Sequence, residues 1–339
     1  MNLLVADIGG TNARFGFIKN VNSELKFINH FKCKDFNNID DALNFYINNN
    51  KINIDNMVLS VAGPCTNDIV KLTNNKWEFN KTELLKKFNL KSFLAVNDFV
   101  AQGLSFTEFF NSKETSYSKK NLDKFNLKII KKGKSIKNSN LLVTGPGTGL
   151  GVCTLTSVDN SVFPIEGEGG NVNFPPQNKT EIELLEFLLK EKSYVSIEDL
   201  VSGRGLQNIY KFKNVKNKLN FKNLDPSEIG KLALKNDKIA KESVQLMFAI
   251  LGTSISNNIL INGCQKGVII AGGIINKLDS LLCESNFFYN LTNKGKYKNY
   301  IDNVPIFFSK DENSGLKGSV ECFNNKNFTK YRTIYNIKE

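Results

Sequence analysis

Leu3-Leu4-Val5-Ala6-Asp7-Ile8-Gly9-Gly10-Thr11-Asn12-Ala13-Arg14 reads as an apolar strand ending on a carboxylate, a turn of two glycines followed by two hydrogen-bonding side chains, and the start of a second strand. Glycines let backbone N–H groups converge on an oxyanion without interference from Cβ atoms, so the turn is a candidate phosphate cradle. A plain hairpin accounts for Gly9-Gly10, but it does not call for Asp7 before the pair or for Thr11 and Asn12 after it. A carboxylate beside such a cradle suits indirect coordination of Mg²⁺, which keeps several of its waters.

Two more strand ends close in glycine turns: Thr144-Gly145-Pro146-Gly147-Thr148-Gly149-Leu150-Gly151 and Ala271-Gly272-Gly273-Ile274. Between the first turn and these two, Ala13–Ile18 and Phe27–Lys32 read as further strands and residues 39 to 48 as a helix. Met57–Ala62 and Phe93–Val96 are short apolar runs of the buried-strand type, the second ending in Asn97-Asp98. Active groups of α/β sheets gather at the carboxyl ends of such strands, which singles out Asn97 and Asp98. A second β-rich block starts at Leu141, and Thr180 with Glu183 reads as a capping box opening a helix to Lys190. Helices are expected near 197–211, 226–236 and 238–260, then a strand over Gly267–Ala271 and a helix from 274. The pattern predicts an α/β chain of two domains, a small one of residues 1–108 plus 309–339 and a large one of residues 109–308.

With 339 residues, 41% hydrophobic and 23% charged, the chain has globular composition and can bury two cores. Its net charge of +12 raises nucleic acid as a partner, but residues 113 to 137 hold nine lysines against Glu114 and Asp123, so one polar stretch carries +7 of it. Aromatic interleaving for base stacking is almost absent there, and the stretch reads as a solvated excursion, with no nucleic-acid role. The six cysteines, Cys33, Cys65, Cys153, Cys264, Cys283 and Cys322, form no C-x-x-C pair, which argues against zinc or redox chemistry and fits a reducing cytoplasm. The N-terminus lacks the basic region of a signal peptide, no 18-residue apolar run occurs, and neither export nor membrane insertion is expected. His30 is the one histidine, so His-dependent triads and multi-histidine metal sites are excluded, and a catalytic base has to be a carboxylate.

Other nucleotide signatures fail by register. Gly133-Lys134-Ser135 has Lys128 where a P-loop needs its first glycine, Gly145 to Gly151 does not satisfy G-x-G-x-x-G, and a protein-kinase H-R-D motif is missing. The three glycine turns, in their order and spacing, instead resemble the phosphate 1, phosphate 2 and adenosine motifs of the sugar kinase, actin and Hsp70 superfamily. Asn97-Asp98-Phe99, Gly167-Glu168-Gly169-Gly170 and Leu200-Val201-Ser202-Gly203-Arg204-Gly205-Leu206 are similar to the bacterial glucokinase family, and the likeness runs from residue 3 to about 320.

That resemblance implies a ribonuclease H-like (actin-like ATPase) fold with an interdomain cleft, and a cytoplasmic, glycolytic transferase that phosphorylates glucose to glucose 6-phosphate with ATP and Mg²⁺. A homodimer is compatible with it. By the family pattern Asp98 is the general base on the sugar 6-hydroxyl, and Asn97, Glu168, Asn171 and Glu191 are the other sugar ligands. Asp7, Ile8, Gly9, Gly10, Thr11, Asn12, Gly145, Gly147, Thr148, Gly149, Gly272 and Gly273 hold the nucleotide, with Asp7 toward the metal. Plainer readings stand beside these: Asp98 as a helix N-cap, Glu168 as a loop acid like Glu166, and Glu191 as a solvated helix end with Glu183 or Glu186 in its place. Asn171 stands where the family usually has histidine and Asn173 where it has aspartate, which keeps a kinase for another hexose in view. A noncatalytic sugar or nucleotide sensor on the same fold is the alternative of a different class.

Overall fold

The computed structural model describes residues 1–20, 23–73, 75–112, 118–159 and 161–334. The chain forms two compact units, one of Met1–Asn111, Val158–Glu166 and Asp311–Glu339, the other of Ser112–Ser157 and Gly167–Lys310. In chain order, the first unit begins with β1 (Leu3–Ile8), β2 (Asn12–Ile18), β3 (Lys26–Lys32), α1 (Ile39–Asn50) and β4 (Asn56–Val61). It continues through β5 (Ile69–Lys71), β6 (Glu78–Asn80), α2 (Lys81–Lys87), β7 (Ser92–Asn97), α3 (Asp98–Leu104) and α4 (Thr107–Asn111). The second unit takes over with α5 (Lys119–Lys124), β8 (Leu127–Lys131), β9 (Leu141–Pro146) and β10 (Leu150–Val158). After β11 (Ser161–Glu166) come α6 (Lys179–Leu189), α7 (Gly203–Lys216), α8 (Pro226–Leu234), α9 (Lys238–Asn262), β12 (Gly267–Ile270) and α10 (Gly273–Leu282). The last elements are α11 (Phe287–Thr292), α12 (Lys298–Asp302), β13 (Ile306–Ser309), α13 (Ser314–Asn324) and β14 (Thr333–Ile334).

The first unit's sheet runs β14-β7-β4-β1-β2-β3. β1, β4 and β7 are mutually parallel and almost wholly buried, as uninterrupted apolar strands covered on both faces should be. Helix α1 covers one face, with Asn38 Oδ1 accepting from Asp41 N–H at its start, and buries Ile39, Ala42, Leu43 and Tyr46 against Phe15 and its neighbours. Helix α13 returns the chain to this unit and packs on α3, β1 and β4. Segment 158–166, expected in the large domain, belongs here: α3 packs on β11, and Val162 O accepts from Asn325 and Asn327 Nδ2.

In the second unit the strands run β10-β9-β12-β13-β8, with β9, β12 and β13 parallel. The 25-residue helix α9 is the one described helix long and apolar enough to cross a membrane, and it is instead the core helix, with Val244, Met247, Phe248, Leu251 and Ile255 buried. Where it is described, the Lys-rich stretch has its lysines almost all exposed, as expected of a solvated segment, but it is ordered into secondary structure. Residues 113–117 lie outside the described residues, but Lys119–Lys124 is helix α5 and Leu127–Lys131 pairs with β13, its lysines tied to Asp279 and Asp302. Helix α6 is capped by Asn178 rather than Thr180, because Asn178 Oδ1 accepts from Glu181 N–H at 3.1 Å while Glu181 Oε2 takes the Gln177 N–H. Helix α7 starts at Gly203, six residues later than expected, where Ser202 Oγ accepts from Gly205 N–H.

Candidate active site

Parallel pairing aligns three strand ends in the first unit. Ile8 of β1 lies opposite Val61 of β4, and Val61 opposite Asn97 of β7. The Asp7 turn and the Asn97-Asp98 pair therefore share the carboxyl edge of one sheet, two strand spacings of about 4.8 Å apart.

Antiparallel register places Asp7 across from Arg14, and the two form an ion pair at 3.0 Å. Burial pushes the Asp7 carboxyl above the usual carboxylate range, with Arg14 opposing. Gly315, in the first turn of α13, lies so close that a Cβ there would come within 2.5 Å of Asp7 Cγ. The turn beyond it is closed by Gly9 N–H donating to Asn12 O at 2.9 Å, and Gly9 O accepts from Asn75 Nδ2 at 3.4 Å. Cys33 N–H holds Thr11 O from the neighbouring segment.

At the β7 end the cap belongs to Asn97. Its Oδ1 accepts from Phe99 N–H at 2.9 Å and Val100 N–H at 3.2 Å, which turns the amide's NH₂ away from the helix as a donor. Asp98 is the first residue of α3, with Oδ1 also 2.9 Å from Phe99 N–H. It stands in an ionic neighbourhood: burial pushes the Cys65 thiol up to about 12, Lys81 opposes the rise, and Glu166 and Asp98 add to it.

The second unit brings its two glycine turns into contact. A Cβ on Gly145 would lie 1.3 Å from Ala271 O, and one on Gly272, at φ +121°, would lie 2.5 Å from Pro146 O. Gly147 N–H closes the hairpin on Gly149 O at 2.8 Å, Gly147 O accepts from Gly203 N–H at 2.9 Å, and Gly273 opens α10. Among the described residues nothing lies within 4 Å of a Cβ built on Gly147 or Gly273, so these two positions face open space. Convergent N–H groups at a hairpin and a helix start are anion-binding elements.

Glu168 and Asn171 frame a short 3₁₀ turn, with Asn171 N–H on Glu168 O at 2.9 Å and Asn171 Nδ2 3.5 Å from Glu168 Oε2. Both side chains are exposed. Glu191 is elsewhere: it follows α6, exposed, in an ion pair with Lys211 at 2.8 Å. The carboxylate beside the turn is Glu198, whose N–H donates to Gly170 O at 2.8 Å and whose side chain is 12% exposed. The bridge between Asn173 and Ser196 carries it there. Sequence reasoning missed Glu198, though it lies four residues ahead of the Ser202-Gly203-Arg204-Gly205 block already singled out.

Asp199, next in the chain, is structural. Burial pushes its carboxyl up, but Lys192 and the N–H and hydroxyl of Ser196 outweigh this and hold it below the usual range. A lowered carboxyl stabilises the fold above its unfolded value near about 4 and loses that contribution as pH falls through the folded value. Asp199→Asn is therefore expected to lower stability by about 1–3 kcal/mol at neutral pH, and urea titrations should show the gap from the native chain closing below about pH 4. A gap that stays constant with pH would contradict the assignment.

The chain has the actin-like ATPase fold shared by glucokinases and related sugar kinases. The glucokinase family model matches residues 4–326, and the chain belongs to that family. It is 31% identical over 325 residues to the glucokinase of Hahella chejuensis, covering 95% of this chain and 97% of that one. Among solved structures, a glucokinase from an Antarctic psychrotroph matches with a TM-score of 0.77 and 30% identity over 96% of this chain and 99% of its own. A glucokinase from Balamuthia mandrillaris, in complex with glucose, matches in fold with a TM-score of 0.77 at 22% identity, covering 94% and 92% of the two chains.

Proposed function

We propose that this chain transfers the γ-phosphoryl group of ATP to the 6-hydroxyl of glucose, with Asp98 as the general base. The observation that carries the proposal is the strand-edge alignment of Asp7 with Asn97-Asp98, in a chain of the glucokinase family. Phosphoryl transfer needs positioning and charge neutralisation more than covalent chemistry. The Asp98 carboxylate receives the hydroxyl proton as the O6–P bond forms and the bond to the β-phosphate oxygen breaks, releasing ADP and glucose 6-phosphate for glycolysis.

Each unit supplies sugar-facing and phosphate-facing groups of its own. In the first, Asn97 donates through its NH₂ and the Gly9-Gly10-Thr11-Asn12 turn faces the nucleotide. In the second, Glu168 and Asn171 accept and donate to adjacent hydroxyls, and the Gly145–Gly149 and Gly272-Gly273 turns face phosphate and adenosine. We assign the further sugar carboxylate to Glu198, on its bond to Gly170 and its burial, in place of Glu191.

Mg²⁺ fits Asp7. Mg²⁺ keeps several of its waters and takes few protein ligands, so a single carboxylate beside a phosphate turn is enough for it. The Asp7 carboxyl, raised by burial, gains from a nearby cation, and the buried Arg14 Nε has no partner among the described residues. When bound, the ion neutralises charge on the β- and γ-phosphates. Six scattered cysteines with no C-x-x-C pair accord with action in the cytoplasm.

A coupled assay of the purified protein with Mg-ATP against glucose, fructose, mannose and N-acetylmannosamine tests the reading. Glucose is expected to have the highest kcat/KM. Preference for another hexose would trace to Asn171 in the sugar turn, and binding of glucose without transfer would make the chain a sensor.

A further inference from the structure

Glu198 has two carboxylate oxygens, and the structure gives each a different partner. Oε2 accepts from Leu150 N–H at 2.8 Å, at the exit of the Gly147–Gly149 hairpin. Oε1 accepts from Arg204 Nη2 at 3.2 Å. The same residue's backbone N–H holds Gly170 O in the sugar turn, so one side chain and its backbone touch both loops. Arg204 lies in the first turn of α7, directly after Gly203, whose N–H holds Gly147 O. A cation in a first turn opposes the helix dipole, so helix stability does not explain it; its partner does.

We propose that Arg204 is a positioning residue that holds Glu198 on Leu150, so that the sugar turn and the phosphate hairpin shift together and sugar and nucleotide bind cooperatively. The proposal rests on the glucose and ATP reading above. A carboxylate with one oxygen fixed on a guanidinium through a charge-assisted bond keeps the other oriented. Without Arg204 the Glu198 carboxylate is free to turn, and both its bond to Leu150 N–H and the lone pair it presents to a sugar hydroxyl lose their fixed direction. Gly149 sets the same contact from the other side, since a Cβ there would lie 2.4 Å from Glu198 Oε2.

The test is calorimetric titration of glucose with and without a nonhydrolysable ATP analogue, on the native chain, Arg204→Gln, Arg204→Lys and Gly149→Ala. In the native chain the analogue should tighten glucose binding on the order of tenfold, within the usual range of coupling between sites. Arg204→Gln and Gly149→Ala should each bring that factor to within about twofold of unity, and Arg204→Lys, which keeps the charge, should restore most of it. A residue with only a structural role would change both affinities and leave their ratio intact. Absence of coupling in the native chain, or native coupling in folded Arg204→Gln and Gly149→Ala, overturns the proposal while glucose turnover leaves the functional reading standing. A native chain that neither binds nor phosphorylates glucose removes that reading, and the proposal with it.

Discussion

Asp98→Asn lowers kcat on glucose by about 10²–10⁴-fold, the range a positioned general base contributes, while the KM for glucose stays within about threefold. The split follows from the geometry. Asparagine keeps the shape of the side chain and the oxygen that lies 2.9 Å from Phe99 N–H, so the start of α3 survives. Asn97, the residue that caps the helix, is untouched. What changes is the ability to take a proton, a loss felt only as the sugar oxygen attacks phosphorus. Removing a negative charge from a first turn costs about 0.3–1 kcal/mol, so the thermal unfolding midpoint should fall by only a few degrees and cannot account for a thousandfold loss. Steady-state kinetics by the coupled assay, alongside thermal unfolding, measures both. Turnover within a factor of ten of the native chain would mean that Asp98 orients the α3 start and that another group takes the proton.

The parts of this site that could be read in advance are those whose residue types are unusual for any other purpose. Asp7 before Gly9-Gly10, the Gly145–Gly149 run and Asn97-Asp98 all interrupt buried apolar strands, and few structural needs place glycines or carboxylates there. Glu198 was illegible because its burial depends on a bridge between Asn173 and Ser196, more than 20 residues apart; nothing in Ile197-Glu198-Asp199 separates it from a surface acid. The Thr180 cap failed for a local reason: Asn178 two residues earlier carries the same chemistry, and its bond to Glu181 N–H decides the helix start. Strand β8 was hidden by its lysines. Only Leu127 is buried, Lys128 and Ile129 are both exposed and Lys128 pairs with Asp279, so no period-two pattern marked the strand. The return of residues 158–166 to the first unit rests on amide contacts from Asn325 and Asn327, which no periodicity announces.

Two glycines in one turn separate packing from ligand binding. Gly145→Ala places a methyl 1.3 Å from Ala271 O, a backbone atom at the end of β12. That strand pairs in parallel with β9 through Ile270 and Thr144, and Ala271 N–H donates to Thr144 O at 2.8 Å, so no flexible side chain can yield. Relief requires parting two central strands, and the cost should reach the upper end of overpacking penalties, about 3 kcal/mol or more. Chemical denaturation of whatever soluble protein is recovered should show that loss, with nucleotide binding lost alongside. Gly147→Ala is the opposite case. Among the described residues nothing lies within 4 Å of its added Cβ, so stability should stay within about 1 kcal/mol of native. The open space is where phosphate oxygens are expected to approach the hairpin N–H groups, and a methyl there should raise the KM for ATP about tenfold or more while the KM for glucose moves less. A native KM for ATP in Gly147→Ala would take the phosphates away from this hairpin. Native stability in Gly145→Ala would mean that the Gly145 and Gly272 turns do not stack as the structure has them.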